Sequence, residues 1–249
     1  SGCDGCDGCG RTMIYVGTSG YNYPEWKGSF YPAGLAAAKM LPYYAVRFPT
    51  VEINYTFYRM PSEKLLAGWI SQVPKSFRFT LKAPRRITHD AKLVDCEALT
   101  ATFCLVAGTL GDQLGSLLFQ LPPSLKKDLP RLDAFLDTLP PKAPAAFEFR
   151  HPSWFDDEVF ARLRDRGRAL CVADSEKLET PLEVTSDIGY FRLRDEGYQP
   201  NDIEEWATKI DALQSRCKDI YVYFKHEEQG IGPEFARQLM RHLGLPTPG

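Results

Sequence analysis

The sequence predicts an α/β fold made of a single (β/α)8 TIM-like barrel. Strand-like and helix-like patterns alternate about eight times over roughly 235 residues, which is the length and rhythm of a closed eight-stranded parallel barrel. Polar residues recur at alternate positions of the strand patterns and gather at their downstream ends. An open doubly wound sheet is the rival fold, but its strands would read as nearly continuous apolar runs. The alternation therefore favours the barrel.

Each strand is predicted from alternating apolar and polar residues that end at a turn signal. In the second strand, Val51 and Ile53 share one face, while Glu52 and Asn54 share the other. The predicted strands span residues 14–20, 51–54, 77–82, 115–121, 147–150, 169–173, 189–194 and 220–226.

Helices are predicted where apolar residues recur at helical spacing between the strands. Ser62 is a typical N-cap, and Gly167 is a typical stop. The predicted helices span residues 35–48, 64–69, 95–111, 129–139, 155–167, 201–214 and 233–243. A long loop rich in aromatic rings, residues 21–32, follows the first strand.

Composition and charge define the broad class of protein. The chain has 249 residues, of which 44% are hydrophobic and 25% are charged, and its net charge is −2. It therefore has no overall basic field to attract nucleic acid, although a local patch is not excluded. No run of about 18 apolar residues and no signal-peptide pattern is present. We expect a soluble, cytoplasmic protein with a small-molecule substrate and no membrane association.

The seven cysteines fall into two groups. Four lie in apolar or helical stretches and are interpreted as reduced packing residues, namely Cys96, Cys104, Cys171 and Cys217. Cys3, Cys6 and Cys9 lie in a Cys/Gly-rich N-terminal segment, residues 1–12, ahead of a barrel domain at residues 13–249. Their spacing suits a [4Fe-4S] cluster or zinc, whereas the tripeptide repeat is equally typical of a tag or a disordered tail.

In such a barrel, the inward positions near the strand ends converge on one mouth. The polar residues expected there are Glu52, Asn54, Lys82, Gln120, Glu148, Arg150, Asp174, Arg192 and Lys225. The expected walls of the pocket are the aromatic residues Tyr21, Trp26, Tyr58 and Trp154, with His151 as a further substrate-binding candidate. The sequence contains no GxGxxG, GxxxxGK[ST], GxSxG or HExxH motif, so the common nucleotide, hydrolase and zincin sites lack support.

Several short motifs carry a resemblance to a known family. They are Gly17–Tyr21, Tyr31-Pro32, Val51–Asn54 with Phe57-Tyr58, Lys82–Pro84 with Thr88-His89, Phe119–Pro123, Phe147–Trp154, Ala173–Ser175 and Tyr223–His226. Together, from about Ile14 to Leu243, the chain resembles the YecE-like family, number seventy-two among the domains of unknown function. The resemblance implies a TIM-like barrel but no settled reaction. The Cys-rich segment lies outside the family pattern.

The mouth residues suggest acid–base chemistry on a small anionic substrate. Glu148 or Glu52 would act as the general base or acid, with its pKa tuned by Arg150, Lys82 and burial. Asp174 completes the set of catalytic candidates. The cations Lys82, Arg150, Arg192 and Lys225 would hold a phosphate or carboxylate group or stabilise an oxyanion. A lyase, isomerase or hydrolase type of reaction would fit.

Three alternatives stay open from the sequence. A divalent metal on Glu52, Glu148, Asp174 and His151 fits by residue type, but the neighbouring cations oppose it. An iron–sulfur enzyme would hold its cluster over the mouth by Cys3, Cys6 and Cys9. A non-catalytic module would bind a metabolite or nucleic acid instead.

Overall fold

The protein folds as a closed barrel of eight parallel strands, each paired with its neighbours in chain order. The computed structural model describes residues 11–247. The strands are β1 (Met13–Ser19), β2 (Thr50–Ile53), β3 (Arg78–Lys82), β4 (Leu114–Gln120), β5 (Ala145–Glu148), β6 (Ala169–Asp174), β7 (Ile188–Leu193) and β8 (Asp219–Phe224). The predicted (β/α)8 TIM-like barrel is therefore confirmed.

Helices surround the barrel on the outside. They are α1 (Met40–Ala45), α2 (Tyr55–Tyr58), α3 (Glu63–Ile70), α4 (Glu97–Gly108), α5 (Leu129–Thr138), α6 (Asp157–Asp165), α7 (Pro200–Asp211) and α8 (Ile231–His242). A short π-helix, Arg86–Asp90, follows β3. Residues 175–187 connect β6 to β7 without a helix, so this one crossover departs from the regular alternation.

Several predicted helices are shorter than expected, and the regions 35–48 and 155–167 are two examples. The region predicted as residues 35–48 contains a 3-10 turn, Ala37–Lys39, followed by the six-residue α1. The region predicted as residues 155–167 becomes helical only after Asp156, whose carboxylate accepts a hydrogen bond from the backbone NH of Val159. This N-cap determines where the helix begins.

The two faces of each strand have different surroundings. Outward residues such as Val51, Phe79 and Phe191 belong to the main apolar core beneath the helices. A smaller buried cluster inside the barrel includes Tyr15 and Tyr221, whose rings stack with centroids 5.0 Å apart. The outer face therefore supplies most of the hydrophobic core, as expected for this fold.

Polar contacts cross the barrel interior below the mouth. The hydroxyl of Tyr223 on β8 lies 2.8 Å from the hydroxyl of Thr50 on β2 and 2.7 Å from that of Thr80 on β3. At Gly17 on β1, an added Cβ would lie 2.1 Å from the carbonyl oxygen of Thr50. Only glycine allows the backbones to approach this closely.

The four cysteines outside the N-terminal segment lie in the interior of the protein. Cys96, Cys104, Cys171 and Cys217 are free and buried, which confirms their interpretation as packing residues. Among residues 11–247, none of the helices is long and apolar enough to cross a membrane.

Candidate active site

A buried arginine joins two carboxylates across the barrel mouth. Arg192 near the end of β7 donates hydrogen bonds to Glu52 on β2, with Nη2 2.8 Å from Oε1. Its Nη1 donates to Glu148 on β5, 2.7 Å from Oε2. All three side chains are at most 1% exposed. Since these strands are not neighbours in the barrel, the group spans the interior, and we call it the Glu52–Arg192–Glu148 bridge.

The carboxylate of Glu52 is fully engaged. Its Oε1 accepts a hydrogen bond of 2.6 Å from the hydroxyl of Ser19, and its Oε2 accepts one from the hydroxyl of Tyr190. Asn54 donates to the Ser19 oxygen at 2.8 Å. Burial alone would raise the pKa of Glu52, but Arg192 and these hydrogen bonds hold it below its usual value. Glu52 is thus an anion whose main contacts are structural.

Glu148 differs because one of its oxygens remains available. Oε2 accepts hydrogen bonds from Arg192 and from Gln120, whose Nε2 lies 3.0 Å away. Oε1 faces the guanidinium groups of Arg150 and Arg194, each at 3.7 Å. Burial would raise the pKa of Glu148, but the three arginines outweigh it and lower the pKa to about 2. The group is therefore a permanent anion at neutral pH.

Lys82, the last residue of β3, is a nearly buried amine with 8% exposure. Its Nζ lies over the ring of Phe57, 4.1 Å from the centroid. In the described part of the chain, the salt bridges of Glu52 and Glu148 go to arginines and not to this lysine. The amine therefore faces the mouth without a bound carboxylate.

This environment favours the neutral form of Lys82. Burial lowers its pKa most, and the charge of Arg192 lowers it further, while Glu148 and Glu52 act in the opposite direction. Lys225 adds a smaller lowering effect, and the resulting pKa is about 7. Lys82 is therefore a mouth group whose charge changes near neutral pH.

Two further cations complete the opening. Lys225, directly after β8, is half-buried, and burial followed by Arg192 and Arg194 lowers its pKa. Arg194 is 19% exposed. We call Lys82, Arg150, Arg194 and Lys225 the cationic rim.

The structure brings together most of the predicted polar site residues, but not Asp174. Its carboxylate accepts hydrogen bonds from the hydroxyl of Tyr198, at 2.5 Å, and from Nε1 of Trp206, at 3.3 Å. Trp206 lies on α7 in the outer core. The prediction that Asp174 joins the mouth is wrong, because it points outward, one position after Ala173 on the strand.

Two of the four predicted aromatic walls are core residues. Trp154 is fully buried, stacks on Phe149 with ring centroids 4.8 Å apart, and donates to the carbonyl of Leu125 at 2.7 Å. Trp26 is also fully buried, and its Nε1 donates to the carbonyl of Glu227 at 2.9 Å. Neither ring is available to a substrate, so these two predictions are wrong.

The other predicted binding residues lie nearer to solvent. Tyr21 and Asn54 line a cavity of about 260 Å³ together with Trp69, whereas Tyr58 is 72% exposed on α2. The Nδ1 of His151 accepts a hydrogen bond of 3.1 Å from the backbone NH of Ser153 and so caps the turn that follows β5. This contact gives His151 a local structural role.

Four residues at the site were not among the predicted site residues. Ser19 and Tyr190 hold Glu52, Arg194 faces Glu148, and His89 packs against Phe57 with ring centroids 5.0 Å apart. The period of two along the strands could have identified Ser19, Tyr190 and Arg194 as inward residues, since each alternates with outward residues. His89 lies on the π-helix after β3. Short π-helical segments are frequently found at functional sites.

Metal binding finds no support in the described residues. Between residues 11 and 247, no group of three or more His, Cys, Asp or Glu side chains is placed to hold a metal ion. The metal set of Glu52, Glu148, Asp174 and His151 is not brought together, because Asp174 faces outward and His151 caps its own turn. Cys3, Cys6 and Cys9 lie outside the described residues.

Fold and site together define a (β/α)8 barrel protein with a buried Arg–carboxylate bridge and a cationic rim at the carboxyl-terminal mouth. The chain belongs to the family described as protein of unknown function DUF72, whose model matches residues 15–248. This family is the one that the sequence motifs resemble.

Named relatives agree with this assignment. UPF0759 protein YunF of Bacillus subtilis is 24% identical over 276 aligned positions, covering 95% of this chain and 97% of the relative. UPF0759 protein YecE of Escherichia coli K12 is 32% identical over 169 positions, covering 66% of this chain and 60% of the relative. A DUF72 family structure from Thermotoga maritima superposes with a TM-score of 0.80 at 28% identity, covering 93% of this chain and 99% of that one.

Proposed function

We propose that this protein is an enzyme that carries out proton transfer on a small anionic substrate at the barrel mouth, with Lys82 as the group that gains and loses the proton. The single observation that carries the proposal is the position of Lys82. Among residues 11–247, this nearly buried amine has no carboxylate partner, and it lies beside a bridge whose own carboxylates are bound to Arg192. A group with a pKa near the working pH is the best general acid or base.

This assignment moves the acid–base role from the carboxylates to the lysine. Glu52 uses both oxygens in hydrogen bonds, and the pKa of Glu148 is lowered to about 2. A carboxylate of such low basicity is a weak proton acceptor at neutral pH. Its charge instead helps to keep the arginines of the mouth in position.

The charge balance of the mouth supports an anionic substrate. With Lys82 neutral, the cations are Arg150, Arg192, Arg194 and Lys225, and the anions are Glu52 and Glu148. Four positive charges against two negative charges leave an excess of two positive charges. An excess of cations in a partly buried cleft attracts phosphate or carboxylate groups.

Binding of sulfate, measured by calorimetry at constant ionic strength, tests this proposal. Sulfate keeps its charge between pH 6 and 8, so a change in affinity over that range reports on the protein. We expect wild-type affinity to fall several-fold from pH 6 to 8 as Lys82 loses its proton, and the Lys82→Met variant to lack this change. The double variant Arg150→Gln, Arg194→Gln should bind more weakly at both pH values.

The outcomes separate the candidate functions. Absence of sulfate binding would overturn an anionic substrate. Binding with no dependence on pH or on Lys82 would favour the non-catalytic metabolite-binding alternative. Retention on DNA or RNA that is lost with added salt would favour nucleic acid instead.

The iron–sulfur alternative depends on Cys3, Cys6 and Cys9, which lie outside the described residues. The proposed reaction makes no use of a cluster, because its proton transfer is assigned to Lys82.

A further inference from the structure

We infer that Lys82 is a covalent nucleophile that forms an imine with the carbonyl group of a small oxo acid. The inference rests on the proposed function, because it names the substrate class of the same site. It goes further by giving the amine a bond to the substrate.

The first argument is that Lys82 is the nucleophile that the mouth offers. The hydroxyl of Ser19 is held by Glu52 and Asn54. The thiol of Cys171 is fully buried below the mouth, and burial raises its pKa well above the usual value. Among the described residues of the mouth, the other amine is Lys225, whose pKa is also lowered but which is less buried than Lys82. A lysine that is desolvated or lies beside other cations is the kind that attacks carbonyl groups.

The second argument concerns the position of the carboxylate of the substrate. Arg150 and Arg194 approach Glu148 Oε1 from the rim at 3.7 Å, a distance longer than a hydrogen bond. Their guanidinium donors can therefore turn to a carboxylate ligand, for which they have the right geometry. Both arginines and Lys82 belong to the cationic rim, so a carbonyl group next to that carboxylate would lie at the same opening as the amine.

The step is balanced without any additional reactant. The lone pair of Nζ attacks the carbonyl carbon, a C–N bond forms, and the C–O bond breaks. The oxygen leaves as water, which carries away both hydrogens of the amine. The imine nitrogen is positively charged when protonated, and the negative charge of Glu148 stabilises it, as it does the lysine cation.

His89 is suited to assist the proton movements. It packs against the same Phe57 ring that lies under Lys82. Burial, followed by the charge of Lys82, lowers the pKa of His89, so its imidazole is neutral at neutral pH. A neutral imidazole can accept one proton during the loss of water.

The test is to trap the imine in the full chain with borohydride at pH 7. The modified lysine is then located by digestion and peptide mass spectrometry. The probe is glyoxylate, the comparison compound without a carboxylate is acetaldehyde, and the control amine is the exposed Lys64. We expect glyoxylate to modify Lys82 at least about tenfold faster than Lys64, because far more of the buried amine is unprotonated at pH 7. The ratio of the modification rate of Lys82 to that of Lys64 should be smaller with acetaldehyde. It should also be smaller in the Arg150→Gln, Arg194→Gln variant.

Two controls keep the result interpretable. Lys82→Arg retains the positive charge but cannot form an imine, so the adduct should disappear while sulfate still binds. If this variant does not fold, the comparison between Lys82 and Lys64 in the wild type remains sufficient. Equal modification of both lysines by glyoxylate, with sulfate binding retained, would overturn the imine and leave the proposed function standing. Selective modification by acetaldehyde alone would overturn the oxo acid as the substrate class.

Discussion

Arg192 and Glu148 form a buried ion pair in which Nη1 lies 2.7 Å from Oε2, while the second oxygen of Glu148 faces Arg150 and Arg194 at 3.7 Å. The carboxylate of Glu148 therefore binds the buried Arg192 with one oxygen and faces the two rim arginines with the other. Because Arg192 also binds Glu52, removal of its charge would affect both carboxylates.

The first prediction concerns Arg192. Its replacement by Met would leave Glu52 and Glu148 buried without their main partner, which typically costs about 3 to 5 kcal/mol. Urea unfolding should show a loss of this size. The Arg85→Met variant is the control, because Arg85 and its partner Asp90 are 53% and 50% exposed and such a pair is expected to contribute about 0 to 1 kcal/mol. Equal losses would mean that the bridge does not stabilise the fold.

The second prediction concerns Glu148 and anion binding. Glu148→Gln removes a negative charge beside Arg150 and Arg194, so sulfate should bind at least about fivefold tighter at pH 7. The Asp137→Asn variant removes an acidic side chain on α5 that pairs with Arg166 on the outside of the barrel. It should leave the affinity unchanged. Weaker binding to Glu148→Gln would contradict this prediction, because it would mean that loosening the arginines outweighs removal of the negative charge.

The third prediction is the pH dependence of stability due to Lys82. The folded-state pKa of about 7 is below the usual 10.5, so the unfolded chain holds more protons between these two values, and stability rises with pH there. The cost of burying the charged lysine is complete below pH 7 and disappears near pH 10.5. Replacement of Lys82 by Met should therefore raise the free energy of unfolding at pH 6, by on the order of 5 kcal/mol.

The measurement for this third prediction is urea unfolding at pH 6 and pH 10. The gain in the free energy of unfolding from Lys82→Met should be much smaller at pH 10. Lys64→Met changes an exposed lysine. Its free energy of unfolding should differ from that of the wild type by nearly the same amount at both pH values. A gain from Lys82→Met that does not change with pH would show that burial does not lower the pKa of this lysine.

The fourth prediction separates Asp174 from the mouth. Asp174→Asn weakens the hydrogen bonds from Tyr198 and Trp206, so we expect a loss of about 1 to 3 kcal/mol in stability. Sulfate binding should not change. Tyr198→Phe removes one of the same bonds, and the double variant should lose less than the sum of the two single losses. A change in sulfate affinity would return Asp174 to the candidate site.

Much of the site follows from the period of two along each strand. Val51 and Ile53 face the helices, so Glu52 must face the interior, and the same rule applies to Lys82, Gln120, Glu148 and Arg192. The rule also explains the error at Asp174. Asp174 ends a strand, as the mouth residues do, but it follows the inward Ala173 by one residue and so points outward.

Trp154 illustrates a different limit of sequence reasoning. The sequence predicts it as an aromatic wall of the pocket, but its ring stacks on Phe149 and its Nε1 donates to the carbonyl of Leu125. Leu125 is 29 residues earlier in the chain. Whether an aromatic ring is covered depends on such distant neighbours, and local composition does not report them.

The sequence by itself determines the alternating series of strands and helices. It also determines which charged side chains face inward, because side-chain direction in a strand is a local property. The tertiary structure decided how those charges pair. Arg192 meets Glu52 across 140 residues of sequence and Glu148 across 44, and Lys82 remains outside that pairing. Distances across a closed barrel depend on the registers of all eight strands, so they exist only once the ring has closed.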